Sequence, residues 1–166
     1  MRVAFVRTRG QADRFYVTRS NGSETSWSFP TFGDGLPHDL VHLVVESRLG
    51  ISKGFWGRVD AGVDPRVVNE QANRKGGKDK YAAFGEDLRE LYLAEALAGL
   101  PWSMDEISDE ERLATARQAC ERMGVALPAN VTAEALATIR GELAMHASRW
   151  RSLGAKGTIE LTFPLT

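Results

Sequence analysis

Residues 36–50 read LPHDLVHLVVESRLG, and their pattern decides the fold. Pro37 suits the first turn of a helix, where its missing N–H has no partner anyway. Gly50 suits a left-handed stop. The spacing therefore predicts a helix over about 38–49. At 100° per residue, His38, Asp39, His42 and Glu46 fall within an arc of roughly 100°. The other directions are almost all apolar: Leu36, Leu40, Val41, Leu43, Val44, Val45 and Leu49, with only Ser47 and Arg48 breaking the pattern. A helix apolar nearly all round belongs inside a protein. Its polar stripe then lies in the core or along a cleft, and four ionisable groups there need partners.

Outward from this helix, the N-terminal side reads as β. Val3, Phe5 and Arg7 alternate with Ala4 and Val6, and RFYVTRS follows a turn-like RGQAD. Asn21-Gly22 is a strong hairpin signal. Beyond it Thr25, Trp27 and Phe29 alternate with Ser26 and Ser28, so three strands form an antiparallel meander. The stretch 30–35 breaks the pattern. On the C-terminal side, GFWGRVDAG (54–62) is either a tight turn or the start of a further helix. EDLRELYLAEALAGL (86–100) is helical, with Leu88, Leu91, Tyr92 and Leu97 as apolar positions. Ser108 and Glu111 form a capping box for a helix that turns Leu113, Ala116, Cys120 and Met123 inward and stops at Gly124. From Thr132 a long helix carries Leu136, Ile139, Leu143, His146 and Trp150 on one stripe. GTIELTF (157–163) alternates again and must pair with the meander, because a lone strand leaves its backbone unsatisfied. The expected fold is one α+β domain over 1–166: a small antiparallel sheet of three N-terminal strands and one C-terminal strand, packed against about four helices.

Composition narrows the function classes. The chain has 166 residues, 43% hydrophobic and 26% charged, an ordinary globular balance. Its 21 basic and 22 acidic residues give a formal charge of −1, so nothing calls for nucleic acid or an anionic membrane. No apolar run is long enough to span a bilayer, and the first residues lack the apolar stretch of a secretory signal. The single cysteine, Cys120, fits a reducing cytoplasm and reads as a core residue. No P-loop, dinucleotide-binding glycine motif or nucleophile elbow is present. The sequence leaves oligomeric state open.

A divalent metal, zinc for preference, is the economical partner for the stripe. Two histidines one helical turn apart can both offer a ring nitrogen to one ion, as in H-E-x-x-H metalloproteases, although here Asp39 stands where those have Glu. On this reading His38 and His42 are ligands and Glu46 or His146 supplies another. Asp39 is the general base for a hydrolase acting on a small molecule or a peptide, or it orients a ligand. The alternative is a non-catalytic module binding a ligand or partner. Its stripe is then a structural network in which Asp39 favours the helix dipole and His42 pairs with Glu46. His146 is equally readable as a core histidine, with Glu142 one turn before it. Phe55, Trp56 and Gly57 either anchor a loop or wall a pocket, with Arg58 and Asp60 as their polar neighbours. Arg74, Lys75, Lys78 and Lys80 lie in a glycine-containing loop that reads as solvated or as a lid for an anionic substrate. His38-Asp39 also invites comparison with HD phosphohydrolases, but only three histidines exist and that chemistry needs more.

The stretch FPTFGDGLPHDLVHLVVESRLGISKGFWG (29–57), with RWRSLGAKGTIEL (149–161), resembles a group of small uncharacterised bacterial proteins. Shared features are an NGS-type turn, a proline-HDLxHxxVE helix, then LG and GF[FW]G. The resemblance falls on His38, Asp39, His42, Glu46, Gly50, Gly54, Phe55 and Gly57. It covers about a third of the chain and implies no particular reaction.

Overall fold

The computed structural model describes residues 1–29, 34–68 and 88–165. The expected basic loop around Arg74, Lys75, Lys78 and Lys80 lies outside them. Strands β1 (Arg2–Val6), β2 (Asp13–Thr18), β3 (Glu24–Phe29) and β4 (Thr158–Thr162) form one antiparallel sheet in the order β3-β2-β1-β4. The chain's two ends thus meet: Val3 faces Leu161 and Phe5 faces Ile159. The α+β reading and its sheet membership are what the molecule adopts. The hairpin between β2 and β3 differs in detail from an Asn-Gly turn with two positive φ angles. Only Gly22 takes the left-handed conformation, at φ 83°. Gly22 N donates to Arg19 O and Arg19 N donates to Ser23 O, so the turn is a three-residue loop closed by a glycine bulge. Asn21 contributes through its side-chain oxygen, which accepts from Ser23 N at 2.9 Å.

Alternation gives the sheet one buried face. Val3, Phe5, Phe15, Val17 and Ile159 are all at most 2% exposed, whereas Tyr16 on the opposite face is 46% exposed. Against the buried face lies α2 (Phe55–Asp60), so GFWGRVD is helical rather than a simple turn. The Trp56 ring sits 5.9 Å from Phe5 and 5.8 Å from Trp27, in the range of aromatic packing.

The helix α1 (His38–Leu49) has the bounds its sequence predicts, with Gly50 left-handed at φ 68°. It packs against α2, α3 (Arg89–Ala98) and α5 (Ala133–Ser152). Leu40, Leu43, Val44 and Val45 are fully buried. Each such burial stabilises by about 1.5–3 kcal/mol. Helix α4 (Asp109–Met123) bridges α3 and α5 and begins with the expected capping box of Ser108 and Glu111. Its inner face departs from expectation. Ala116 and Cys120 are buried, but Leu113 and Met123 are only partly so, and Arg112 is fully buried. Arg112 is tolerable there because its guanidinium donates to Asp109 at 2.5 Å and to Met104 O at 2.9 Å. Among the described residues no helix is long and apolar enough to cross a membrane.

Candidate metal centre

Three of the four polar residues of the α1 stripe are buried, and His38 is partly exposed at the cleft. Asp39, His42 and Glu46 are 2%, 1% and 1% exposed. One turn separates His38 from His42, and their rings lie 4.8 Å apart. The two histidines therefore face one space, which α3 closes with Glu95. Ligand atoms of His38, His42 and Glu95 all fall within 4.8 Å of one another. Donor atoms around a tetrahedral ion held at about 2.0–2.2 Å are roughly 3.4 Å apart. The 3.3 Å between His42 Nε2 and Glu95 Oε1 matches that spacing.

The His42 ring is held from behind. Its Nδ1 lies 3.1 Å from Glu46 Oε1. Glu46 is itself fixed, because Oε1 accepts from Phe55 N at 2.9 Å and Oε2 from Trp56 N at 3.0 Å. Those two N–H groups begin α2, where a helix leaves its donors without internal partners. Gly54 makes the approach feasible: a Cβ there would stand 2.6 Å from the Glu46 carboxyl carbon. Gly57 is required for a different reason, since a Cβ there would sit 1.7 Å from Ser52 O. The GFWG segment is thus a cradle for one carboxylate. A ring nitrogen fixed by a carboxylate leaves the other nitrogen aimed as a ligand. His42 Nε2 is that nitrogen: it is buried and makes no hydrogen bond, because Glu95 is close but out of line.

Electrostatics reflect this crowding. Burial alone would lower the His42 pKa, but the hydrogen bond to Glu46 and the negative charge of Glu46 and Glu95 overcome it and raise the pKa to about 10. Burial pushes the Glu46 carboxyl up, opposed by its three donors. All its contacts are donors, so the cradle suits the carboxylate. Glu95 is held below the usual range because the two histidines outweigh its desolvation. His38 is lowered by burial and by His42, against the pull of Glu95. Asp39 is raised to about 7, mainly by burial, although His42 and the Trp27 indole, 3.3 Å from Oδ2, draw it down.

His38, Asp39 and Glu95 open onto a cleft of about 790 Å³, whose other wall includes Trp27, Phe29 and Arg66. The structure thus brings together His38, Asp39 and His42 of the expected site and assigns two others elsewhere. Glu46 orients His42 from behind and lies outside the ligand-capable group. A straight helix cannot turn residues 38, 42 and 46 onto one ion while residue 46 is tied to α2. His146 is also outside that group. It is 4% exposed, with Nε2 3.9 Å from Glu142, and burial lowers its pKa. The sequence reading missed Glu95. Its signal was present: Leu88, Leu91, Tyr92 and Glu95 follow the i, i+3, i+4, i+7 pattern, which puts an acid on an apolar face. Arg58 and Asp60 do not line the cleft. Arg58 donates to Lys53 O, and Asp60 accepts from Ser20 N at 2.7 Å. Compared with family models, curated proteins and solved structures, the chain matches none.

Proposed function

We propose that the chain is a metal-dependent hydrolase. His38, His42 and Glu95 hold a divalent ion, zinc being the one a His-His-Glu donor set suits. The observation that carries this reading is the buried His42 Nε2, 3.3 Å from Glu95 Oε1 without a hydrogen bond to it, in a ring held from behind by Glu46. Bound in such a set, the ion supplies polarisation of a water and of an acyl oxygen. Asp39 is the base. It lines the same cleft, next in sequence to His38, which places its carboxylate beside the ion's open face. It takes the proton of the attacking water, whose oxygen bonds to the acyl carbon. The bond from that carbon to the leaving atom then breaks, and the proton passes to the leaving atom.

A second reading has its own support. In the metal-free geometry the His42 imidazolium stands between two carboxylates, an arrangement that also serves a structural network in a non-catalytic binding module. Zinc titration of tag-free, chelator-stripped protein separates the two. The hydrolase reading expects one equivalent bound, loss of binding in His38→Ala, and affinity lowered about 10–100-fold in Glu46→Gln. It also expects zinc-dependent turnover of p-nitrophenyl acetate that Asp39→Asn abolishes. Equal zinc affinity in wild type and His38→Ala would sink the site, and zinc binding without ester turnover would sink the hydrolase.

A further inference from the structure

Among the described residues strand β3 lies at the edge of the sheet, and it borders the candidate metal cleft. Its register shows which backbone groups face outward. The bond from Arg19 N to Ser23 O marks a hydrogen-bonded pair at the hairpin base. Such pairs alternate along an antiparallel ladder. Thr25, Trp27 and Phe29, opposite Val17, Phe15 and Asp13, therefore direct N–H and C=O toward β2. Ser26 and Ser28 direct theirs away from the sheet, and among the described residues no hydrogen bond engages them. The strand reads ETSWSF, without the lysine or proline that commonly guards an exposed edge. Residues 25–29 line the same cleft as His38, Asp39 and Glu95, and the Trp27 indole joins the two walls through Asp39.

From this juxtaposition, and resting on the hydrolytic reading above, we infer that the substrate is an extended polypeptide that adds to β3 as a further strand. Backbone groups of Ser26 and Ser28 bind it, with an amide of the added strand lying across the His38–His42–Glu95 cluster. Main-chain pairing at a sheet edge supplies affinity with little dependence on sequence, while alternate side chains supply selectivity. Those on the inner face of the added strand lie beside Trp27 and Phe29, so apolar residues are preferred at every second position. Cleavage adds water across the amide: the hydroxyl goes to the acyl carbon and a proton to the departing nitrogen.

The test uses zinc-loaded protein and oxidised insulin B chain, an unstructured polypeptide. Ser28→Pro removes an outward N–H without touching the β2 ladder, a place where an edge strand tolerates proline. Circular dichroism and p-nitrophenyl acetate turnover report that fold and centre are intact. Cleavage of the B chain by wild type and Ser28→Ala, slowed about ten-fold or more in Ser28→Pro with ester turnover retained, supports the inference. Equal cleavage by Ser28→Pro overturns it. Ester turnover without B-chain cleavage also overturns it and leaves the hydrolytic reading standing. If neither is turned over but the B chain shifts the Ser26 and Ser28 amide resonances, docking stands and the hydrolytic reading falls. Concentration-dependent dimerisation that Ser28→Pro abolishes, with no response to the B chain, makes a second copy the occupant and overturns the inference.

Discussion

Asp39 carries a burial cost that pH exposes. Its pKa is about 7 in the folded chain against an ordinary 3.8. Between those values the folded state holds a proton that the unfolded state has released. This residue's contribution to stability therefore falls as pH rises from about 4 to 7 and is level above that. Asn cannot ionise. In EDTA, Asp39→Asn should gain stability relative to wild type across that window, by up to about 1.4 kcal/mol per pH unit. Urea unfolding of both proteins at several pH values measures the gap, and a gap independent of pH would refute the assignment. At this scale the sequence was partly legible. His38, Asp39 and His42 stand out because polar residues on an apolar helix need a reason. Glu46 was legible as part of the stripe, but its role was not: its partners are backbone N–H groups of Phe55 and Trp56, which have no side-chain signature. Glu95 carried the same signal as the stripe, on a helix read only for its apolar positions Leu88, Leu91, Tyr92 and Leu97.

Between elements, Arg7 joins the sheet to the last helix. Its Nη1 donates to Trp150 O at 2.7 Å and Arg151 O at 2.9 Å, and it pairs with Asp34. These carbonyls stand in the last turn of α5, where intrahelical donors run out, and Trp150 O also accepts from Leu153 N at 3.2 Å. Arg7→Ala should cost about 1–3 kcal/mol in chemical denaturation, since it removes charge-assisted hydrogen bonds to the helix end. A loss below about 0.5 kcal/mol would mean that water serves those carbonyls equally well. Alternation placed Arg7 inward with Val3 and Phe5, but its acceptors lie 143 and 144 residues away in sequence. A pattern of period two says which face a residue takes, not what it meets there. For the same reason α5 was legible as a stripe, and its buried residues are the five expected. Arg112 was not: its Asp109 partner lies at helical spacing, but the carbonyls of Pro101, Met104 and Ile107 that also accept from it lie in a loop that no periodicity reports.

Across the whole molecule, one continuous core joins the sheet, α1 and the later helices. Cys120 is within it, 1% exposed, and burial pushes its thiol pKa up. It should react with a disulfide reagent only when the structure opens. At pH 8 we expect labelling at least about 100-fold slower in buffer than in denaturing urea. Rapid labelling of the folded protein would show that α4 detaches readily. The fold class was legible at this scale because strand and helix periods segregate along the chain. The joining of a fourth strand to the meander was reached by elimination, but its place beside β1 rather than β3 was not legible.

The pairing of β1 with β4 bears on how the chain is made. About 140 residues separate Thr18 from Thr158, roughly 10–30 s of synthesis at ribosomal speed. Throughout that interval β1 has a neighbour on one side only, and the groups that later bind β4 are open to any other strand. The hairpin bulge at Gly22 lets β2 and β3 assemble early, but the nascent sheet waits for Thr158–Thr162 to leave the ribosome. A chaperone that shields the β1 edge during elongation would therefore raise the yield of native protein without altering its final stability.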